Sequence, residues 1–373
     1  MDNKYILRLF FDFLENSQVS KMGIIGINGA GGRIGRLVLD YALKKTLEIS
    51  KLNDWDPGYE CLSVEEKVRR LVDKLSAFDY VTKDRAYSIS MNEGNVRVNG
   101  KQVEVSFEKN PANIDWGNTL IVLECSGAFR TRETLEQHIH QNVKKVLVSA
   151  PCDDSIKHIV MGVNEQKITK YDRIISNASC TTKSIVLPLK VLMDLGLEDV
   201  KVYFATVHAA TNTQKAPYSI DNIILHSTGA SKSIQKVLPR VVSVHGKAYR
   251  VPVADGSWTD MTIIAKSDGY ISEQDVKEAI YRASGNTRLG LVHKEYPGLE
   301  DIINKEKRHY TAQVVQPLIK VNSEFLEEGE GAGEEALGYY LLTINMVVGY
   351  DNEAGSAYDL VDMASYISFK QLL

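Results

Sequence analysis

The stretch Met22-Gly23-Ile24-Ile25-Gly26-Ile27-Asn28-Gly29-Ala30-Gly31-Gly32-Arg33-Ile34-Gly35-Arg36 decides the fold. It opens as a short apolar strand pattern and turns on glycines. Leu37, Val38, Tyr41 and Ala42 then follow at helical spacing. Glycines let a backbone approach a pyrophosphate, and the helix N-terminus behind them attracts its charge. A glycine cluster alone also fits any tight turn. Here the second half of the signature is present, because Leu47 to Leu52 reads as a second strand ending in Asn53-Asp54. An acid at that distance binds the adenosine ribose hydroxyls and repels a 2′-phosphate, so NAD is expected over NADP. The competing reading makes Asp54 a turn residue ahead of Asp56-Pro57-Gly58.

Outward from this unit the chain keeps the same style. Residues 62 to 75 place Val64, Val68, Leu71 and Leu75 on one helical face. Alternating strands follow around the turns Asn92 to Asn95 and Asn99-Gly100, the latter a strong hairpin signal. Leu120 to Leu123 and Val146 to Val148 are continuous apolar strands, separated by a helical segment from Arg132 to Gln141. That alternation predicts a parallel sheet with helical crossovers. The strands end in polar turns, Cys125-Ser126-Gly127 and Ser149-Ala150-Pro151, where such sheets bind ligands.

At 373 residues the chain has room for two domains, and 44% apolar with 25% charged residues is ordinary for a globular protein. A net charge of −4 gives no reason to expect nucleic acid or an acidic membrane as partner. Four scattered cysteines without a C-x-x-C pair argue against a disulfide scaffold and suit the cytoplasm. No histidine pair has ligand spacing, so no metal is expected. Residues 1–21 form an N-terminal extension with Ile6, Leu7, Phe10, Phe13 and Leu14 at helical spacing. Arg8, Asp12 and Glu15 interrupt it, against a signal peptide.

A second stretch carries the chemistry: Asp172 to Lys183, with Ser179-Cys180-Thr181-Thr182 at its centre. A strand-like approach, Ile174-Ile175, meets a polar turn, and Ile185, Leu189 and Leu192 then mark a helix. Cys180 falls at that helix's N-terminus, where the dipole lowers a thiol pKa below about 8.5 and favours the nucleophilic thiolate. The bland alternative is an inert cysteine beside a Ser/Thr cap. Beyond it, Val200 to Val207 ending at His208, then Tyr249 to Val253, Met261 to Ala265 and Tyr339 to Val348, read as longer strands. With one helix between, Ser272 to Ser284, they predict an α+β domain on a mainly antiparallel sheet. Glu327 to Glu335 reads as an exposed loop and Asn352 to Leu373 as a last helix. The expected division is 22–176 for the Rossmann-type nucleotide domain and 177–351 for the catalytic domain, with 352–373 packing back on the former.

The ordered series Gly26-Ile27-Asn28-Gly29, Gly32-Arg33-Ile34-Gly35-Arg36, Asn53-Asp54, Ser149-Ala150-Pro151, Ser176 to Thr182, Thr206-Val207-His208-Ala209, Arg250-Val251-Pro252 and Tyr350-Asp351-Asn352-Glu353 resembles the glyceraldehyde-3-phosphate dehydrogenase family from Met22 onward. The resemblance implies an NAD-dependent, phosphorylating oxidation of an aldehyde. Cys180 is then the nucleophile and His208 its base. It assigns Ser179, Thr181 and Thr228 to the inorganic phosphate, and Thr211 and Arg250 to the substrate phosphate. Gly29, Gly32, Arg33, Ile34, Gly35, Asp54, Ser126, Ser149 and Asn352 become the cofactor set. It further implies a homotetramer.

The chain departs from the family pattern at several points. The glycine loop carries one extra residue, Gly31 or Gly32, and Lys183 stands where the family has asparagine. The 215–228 segment is short, which bears on the tetramer. Ser356 and Gly349 replace aromatic residues. Glyceraldehyde 3-phosphate is the first candidate substrate. Erythrose 4-phosphate or another phosphorylated aldehyde is the alternative, and a catalytically weak homologue kept for binding or regulation is the reading from a different class.

Overall fold

The structure is a computed structural model that describes residues 24–77, 85–92, 94–210, 222–285, 288–328 and 337–373. The expected N-terminal helix, Thr211, residues 215–221 of the shortened segment and most of the Glu327 to Glu335 loop lie outside the described residues. The chain divides into two compact units. One holds the chain up to Met161 with Glu165–Ala178 and Ser356–Leu373, and the other holds Gly162–Asn164 and Ser179–Gly355.

The first unit contains β1 (Ile24–Asn28), α1 (Arg33–Lys44), β2 (Glu48–Asn53), α2 (Val64–Ser76), β3 (Ile89–Asn92), β4 (Asn95–Val98), β5 (Lys101–Ser106), β6 (Ile121–Glu124), α3 (Arg132–Glu136), β7 (Lys145–Val148), β8 (Lys157–His158) and β9 (Ile174–Ser176). They form one sheet in the order β3-β4-β5-β2-β1-β6-β7-β9-β8. From β5 to β8 every pairing is parallel. This is the Rossmann arrangement, and its strand order reverses between β1 and β6, where such folds bind nucleotides. β3 and β4 add an antiparallel hairpin. Its partner turn Asn99-Gly100 takes φ of 49° and 77°, the left-handed pair that an Asn-Gly hairpin needs.

Registration sets the edge. Ser106, Asn53, Asn28, Glu124, Val148 and Ser176 are consecutive partners at the carboxyl ends of the parallel strands. All four residues of β6 and of β7 are buried, as continuous apolar strands covered on both faces must be. Two helices differ from expectation. α2 is capped by Ser63, whose Oγ accepts the Glu66 N–H, and this places Val64 in the open first turn, where it is 73% exposed. The segment expected to be helical to Gln141 leaves the α-helix after Glu136. There the His138 and Ile139 N–H groups bond to Leu135 and Glu136 in tighter turns, and His138 points inward.

The second unit contains α4 (Cys180–Asp194), β10 (Glu198–Ala209), β11 (Ile224–His226), α5 (Ala230–Val237), β12 (Ser243–Val251), β13 (Ser257–Ser267), α6 (Glu273–Ala283), β14 (Leu289–Val292), β15 (Ala312–Val315), β16 (Lys320–Glu328) and β17 (Leu337–Tyr350). The sheet runs β11-β12-β10-β13-β17-β15-β14, with β16 also on β17. Five pairings are antiparallel and two, β10 with β12 and β14 with β15, are parallel. The α+β expectation holds. β13 alternates buried and half-buried residues along nearly its whole length, the mark of a sheet with one covered face. α4 is buried from Thr181 to Leu189, so it is a core helix, packed on α5, α6, β15 and β17. Ser272 caps α6 as its spacing predicts. The chain ends in α7 (Ala354–Phe369). Glu327, read as loop, is the continuation of β16 and pairs with Gly338.

Candidate active site

In the first unit the glycine turn is built for close approach. Gly29 has φ of +78°, and a Cβ on it would lie 2.7 Å from the Ser126 backbone. A Cβ on Gly35 would lie 2.1 Å from the Gly29 carbonyl oxygen, so α1 rises over the turn only because Gly35 has none. Gly32 caps α1 without a side chain, and no acid stands in the first turn. That leaves first-turn N–H groups for an anion, with exposed Gly32 and half-buried Arg33 and Ile34 around them. Ser126 is exposed at the end of β6, and Ser149 is half-buried at the end of β7.

Beneath this cradle lies a network that the sequence reading missed. Glu124 is fully buried. Its Oε1 accepts from the Ser126 N–H at 2.7 Å and hydroxyl at 2.5 Å. Its Oε2 accepts from Asn28 at 2.5 Å and faces His138 Nε2 at 3.0 Å. Asn53 donates in turn to Asn28 at 2.7 Å. The available signal was an acid closing the apolar run Ile121-Val122-Leu123.

Asp54 follows β2 and is 4% exposed. The Gly31 N–H donates to its Oδ1 at 3.0 Å. Tyr59 and Lys74 donate to Oδ2 at 2.8 and 2.7 Å, and Lys74 also reaches Asp56 at 2.5 Å. Burial, followed by the Asp54 charge, holds the Tyr59 phenol far above its ordinary range. The glycine loop therefore folds onto Asp54, because the Gly31 amide is one of the carboxylate's donors.

In the second unit Ser179 caps α4, its Oγ accepting the Thr182 N–H at 3.0 Å. Cys180 is thus the first helical residue, and Sγ lies 3.5 Å from His208 Nε2. His208 is near the end of β10, where register places Arg250 of β12 on one side and Ser257 of β13 on the other, with Tyr350 beyond. The ring's Nδ1 is 2.7 Å from the Ala209 carbonyl oxygen, which can only accept. Nδ1 therefore carries the proton, and Nε2 presents a lone pair to the thiol. Burial, aided by Arg250, depresses His208 to about 4, so the ring is neutral.

The thiol differs from expectation. Burial pushes Cys180 above its ordinary value, while Lys183, Arg250 and the Thr181 amide pull it down. The pair at rest is a thiol beside a neutral imidazole. Lys183 does not reach solvent; it is fully buried one turn into α4.

The proposed phosphate ligands fall into two groups. Arg250 is half-buried, with a guanidinium nitrogen 3.4 Å from the Ala209 carbonyl, and Thr228 is half-buried, its hydroxyl accepting the Ala230 N–H at 3.1 Å. Thr181 instead turns inward, its hydroxyl 3.0 Å from the Tyr350 hydroxyl, which also meets Thr206 at 2.9 Å.

Asn352 lies 3.2 Å from His208 Nδ1 and takes a hydrogen bond from Ser257. Its N–H donates to Asp255, which also accepts the Gly256 N–H. Asp255, Asp351, Glu353 and Arg308 are all buried, with Arg308 bonded to Asp351 at 3.1 Å. Burial, then the charges of Asp351 and Glu353, push Asp255 up to about 8.

Two family models match this sequence. The NAD binding domain of glyceraldehyde 3-phosphate dehydrogenase covers residues 24–132, and the C-terminal domain of the same enzyme covers 179–316. A glyceraldehyde-3-phosphate dehydrogenase from Priestia megaterium is 32% identical over 366 residues, 93% of this chain and 99% of its own length. Glyceraldehyde-3-phosphate dehydrogenase 1 of Schizosaccharomyces pombe is 32% identical over 367 residues, 93% of this chain and 98% of its own length. A cytosolic glyceraldehyde-3-phosphate dehydrogenase from Gracilaria gracilis is 32% identical over 364 residues, 92% and 98% of the two chains.

Proposed function

This chain belongs to the glyceraldehyde-3-phosphate dehydrogenase family, and we propose that it oxidises glyceraldehyde 3-phosphate with NAD and inorganic phosphate, using Cys180 as nucleophile and His208 as base. The observation that carries the reading is the 3.5 Å approach of Cys180 Sγ to a His208 nitrogen whose ring is oriented by Ala209. With a neutral thiol at rest, the aldehyde carbon is attacked as Nε2 takes the thiol proton, and sulfur forms the new bond to carbon. The resulting imidazolium stabilises the oxyanion and returns the proton, giving a thiohemiacetal. The glycine turn and the uncapped start of α1 would hold NAD, which would supply the hydride acceptor for this carbon. As the hydride leaves, Nε2 takes the hydroxyl proton and a thioester remains on Cys180. Phosphate oxygen then adds to the thioester carbonyl, the carbon–sulfur bond breaks with its electron pair going to sulfur, the Nε2 proton returns to that sulfur to restore the thiol, and the acyl phosphate departs.

Arg250, one strand from His208 in register, suits the substrate phosphate, with Thr211 as its expected companion. Ser179 and Thr228 suit the attacking phosphate. Thr181 supports that site through its backbone and through Tyr350 rather than by a free hydroxyl. The turn suits a dinucleotide because Gly29 and Gly35 let it fold tightly under α1, whose first-turn N–H groups no side chain caps.

No helix among the described residues is long and apolar enough to cross a membrane. A cytoplasmic homotetramer is the setting this reading carries, checked by sedimentation. The deciding experiment is NADH formation from glyceraldehyde 3-phosphate, NAD and phosphate, with erythrose 4-phosphate in parallel. Phosphate-dependent turnover that Cys180→Ser abolishes is the expected result. A folded protein that binds NAD yet turns over neither aldehyde refutes the proposal.

A further inference from the structure

Discrimination against a 2′-phosphorylated dinucleotide rests on an exposed, uncompensated carboxylate at the adenosine ribose. In this chain the carboxylate at that position is neither exposed nor uncompensated. The Asp54 side chain is 5% exposed, whereas Lys74, bonded to it, is 28% exposed. Asp56, the second carboxylate on Lys74, is 30% exposed, and Arg70, 3.1 Å from Asp56, is 44% exposed. A ligand arriving at the end of β2 therefore meets two cations and one carboxylate. The four charges sum to zero. Gly31 of the lengthened glycine loop completes the arrangement, since its amide donates to Asp54 Oδ1 and a Cβ on it would lie 2.7 Å from both Asp54 Oδ2 and Lys74 Cδ. With Tyr59 and Lys74 on Oδ2, little of the carboxylate is left to bind a ribose diol.

We infer that Lys74 is the specificity-determining residue of this ribose site, and that the site accepts a 2′-phosphorylated dinucleotide alongside NAD. The inference rests on the nucleotide-site reading given above. Lys74 does two things. It neutralises the carboxylate that otherwise repels a 2′-phosphate, and its ammonium offers that phosphate a charge-assisted hydrogen bond. Arg70, 3.1 Å from Asp56, adds a guanidinium to the same rim. The cost falls on NAD, whose ribose hydroxyls must share Asp54 with Lys74.

Calorimetric binding of NAD and NADP to the full chain tests this without any aldehyde. In the natural protein the two dissociation constants should lie within about tenfold of each other, one charge-assisted contact at most. Lys74→Met should weaken NADP relative to NAD by about tenfold or more. Lys74→Arg, which keeps the charge, should retain NADP. NADP binding weaker than NAD by about a thousandfold in the natural protein overturns the inference, and that comparison needs no variant. Equal weakening of both nucleotides in Lys74→Met, unrescued by Lys74→Arg, also overturns it and makes Lys74 a structural residue. Absence of NAD binding to the natural protein refutes the underlying nucleotide site and this inference with it.

Discussion

Replacing Asp255 with asparagine isolates one buried proton. Asp255 is buried with Asp351 and Glu353 nearby, and its carboxyl, ordinarily near 3.8, is pushed up to about 8 by burial and by the two neighbouring acids. The native protein thus keeps a proton on Asp255 that the unfolded chain releases. The native state binds more protons between pH 4 and 8, so this residue's contribution to stability falls as pH rises through that window. Asparagine mimics the protonated acid. Its oxygen can keep the Gly256 and Asn352 N–H groups, 2.7 and 3.2 Å away, and its NH2 faces the other carboxylates. The stability gap between variant and natural protein should shift in the variant's favour from pH 5.5 to 8.5, by at most about 1.4 kcal/mol for each pH unit over which the native proton is held. Urea midpoints at the two pH values, with matched slopes, measure the gap. A gap that does not move with pH, or that moves against the variant, refutes the protonated-acid account.

The depressed His208 gives a companion test of opposite sign. The free enzyme's base should titrate near 4 rather than 6.5, so kcat/KM stays level down to about pH 5; an acid limb centred at or above 6.5 contradicts the neutral, buried ring. The same group lowers stability as pH falls from 6.5 towards 4, because the unfolded chain gains its proton first. At the glycine turn, Gly35→Ala drives a Cβ to 2.1 Å from a carbonyl oxygen and should weaken NAD by about tenfold or more, whereas Gly32→Ala, at 3.2 Å, should be mild. Calorimetric NAD binding compares the two, and equal effects disprove the steric account.

Much of the scaffold was legible because it follows from short-range pattern. Continuous apolar runs marked β6 and β7, Asn99-Gly100 marked a hairpin, and Ser272 marked the start of α6. The cysteine and histidine were legible as residue types in context, yet their approach depends on β10 and α4 meeting in space. Strands β8, β11, β14 and β15, of two to four residues, carry too little periodicity to read and are created by their neighbours. The site's electrostatics were the least legible part. Helix-dipole reasoning lowered the Cys180 thiol, but burial outweighs it. Asp54 looked like a free acid because nothing in the spacing reveals that Lys74, 20 residues on, lies against it. Thr181 looked like an outward hydroxyl, whereas the helical turn aims it at Tyr350.

The first unit is discontinuous, and that orders events during synthesis. Its sheet is encoded before residue 177, but its last helix comes from Ser356 to Leu373, after the whole second unit. That helix is no ornament. Leu360, Val361, Met363, Ala364 and Ile367 are fully buried, Tyr358 stacks on Tyr41 at 4.3 Å, and Asp362 meets Lys45 at 3.8 Å. The residues that pack on Tyr41 and Lys45 are therefore translated only after the whole second unit. The half that is translated first is finished last, so a premature stop near the C-terminus harms the beginning of the protein more than its middle.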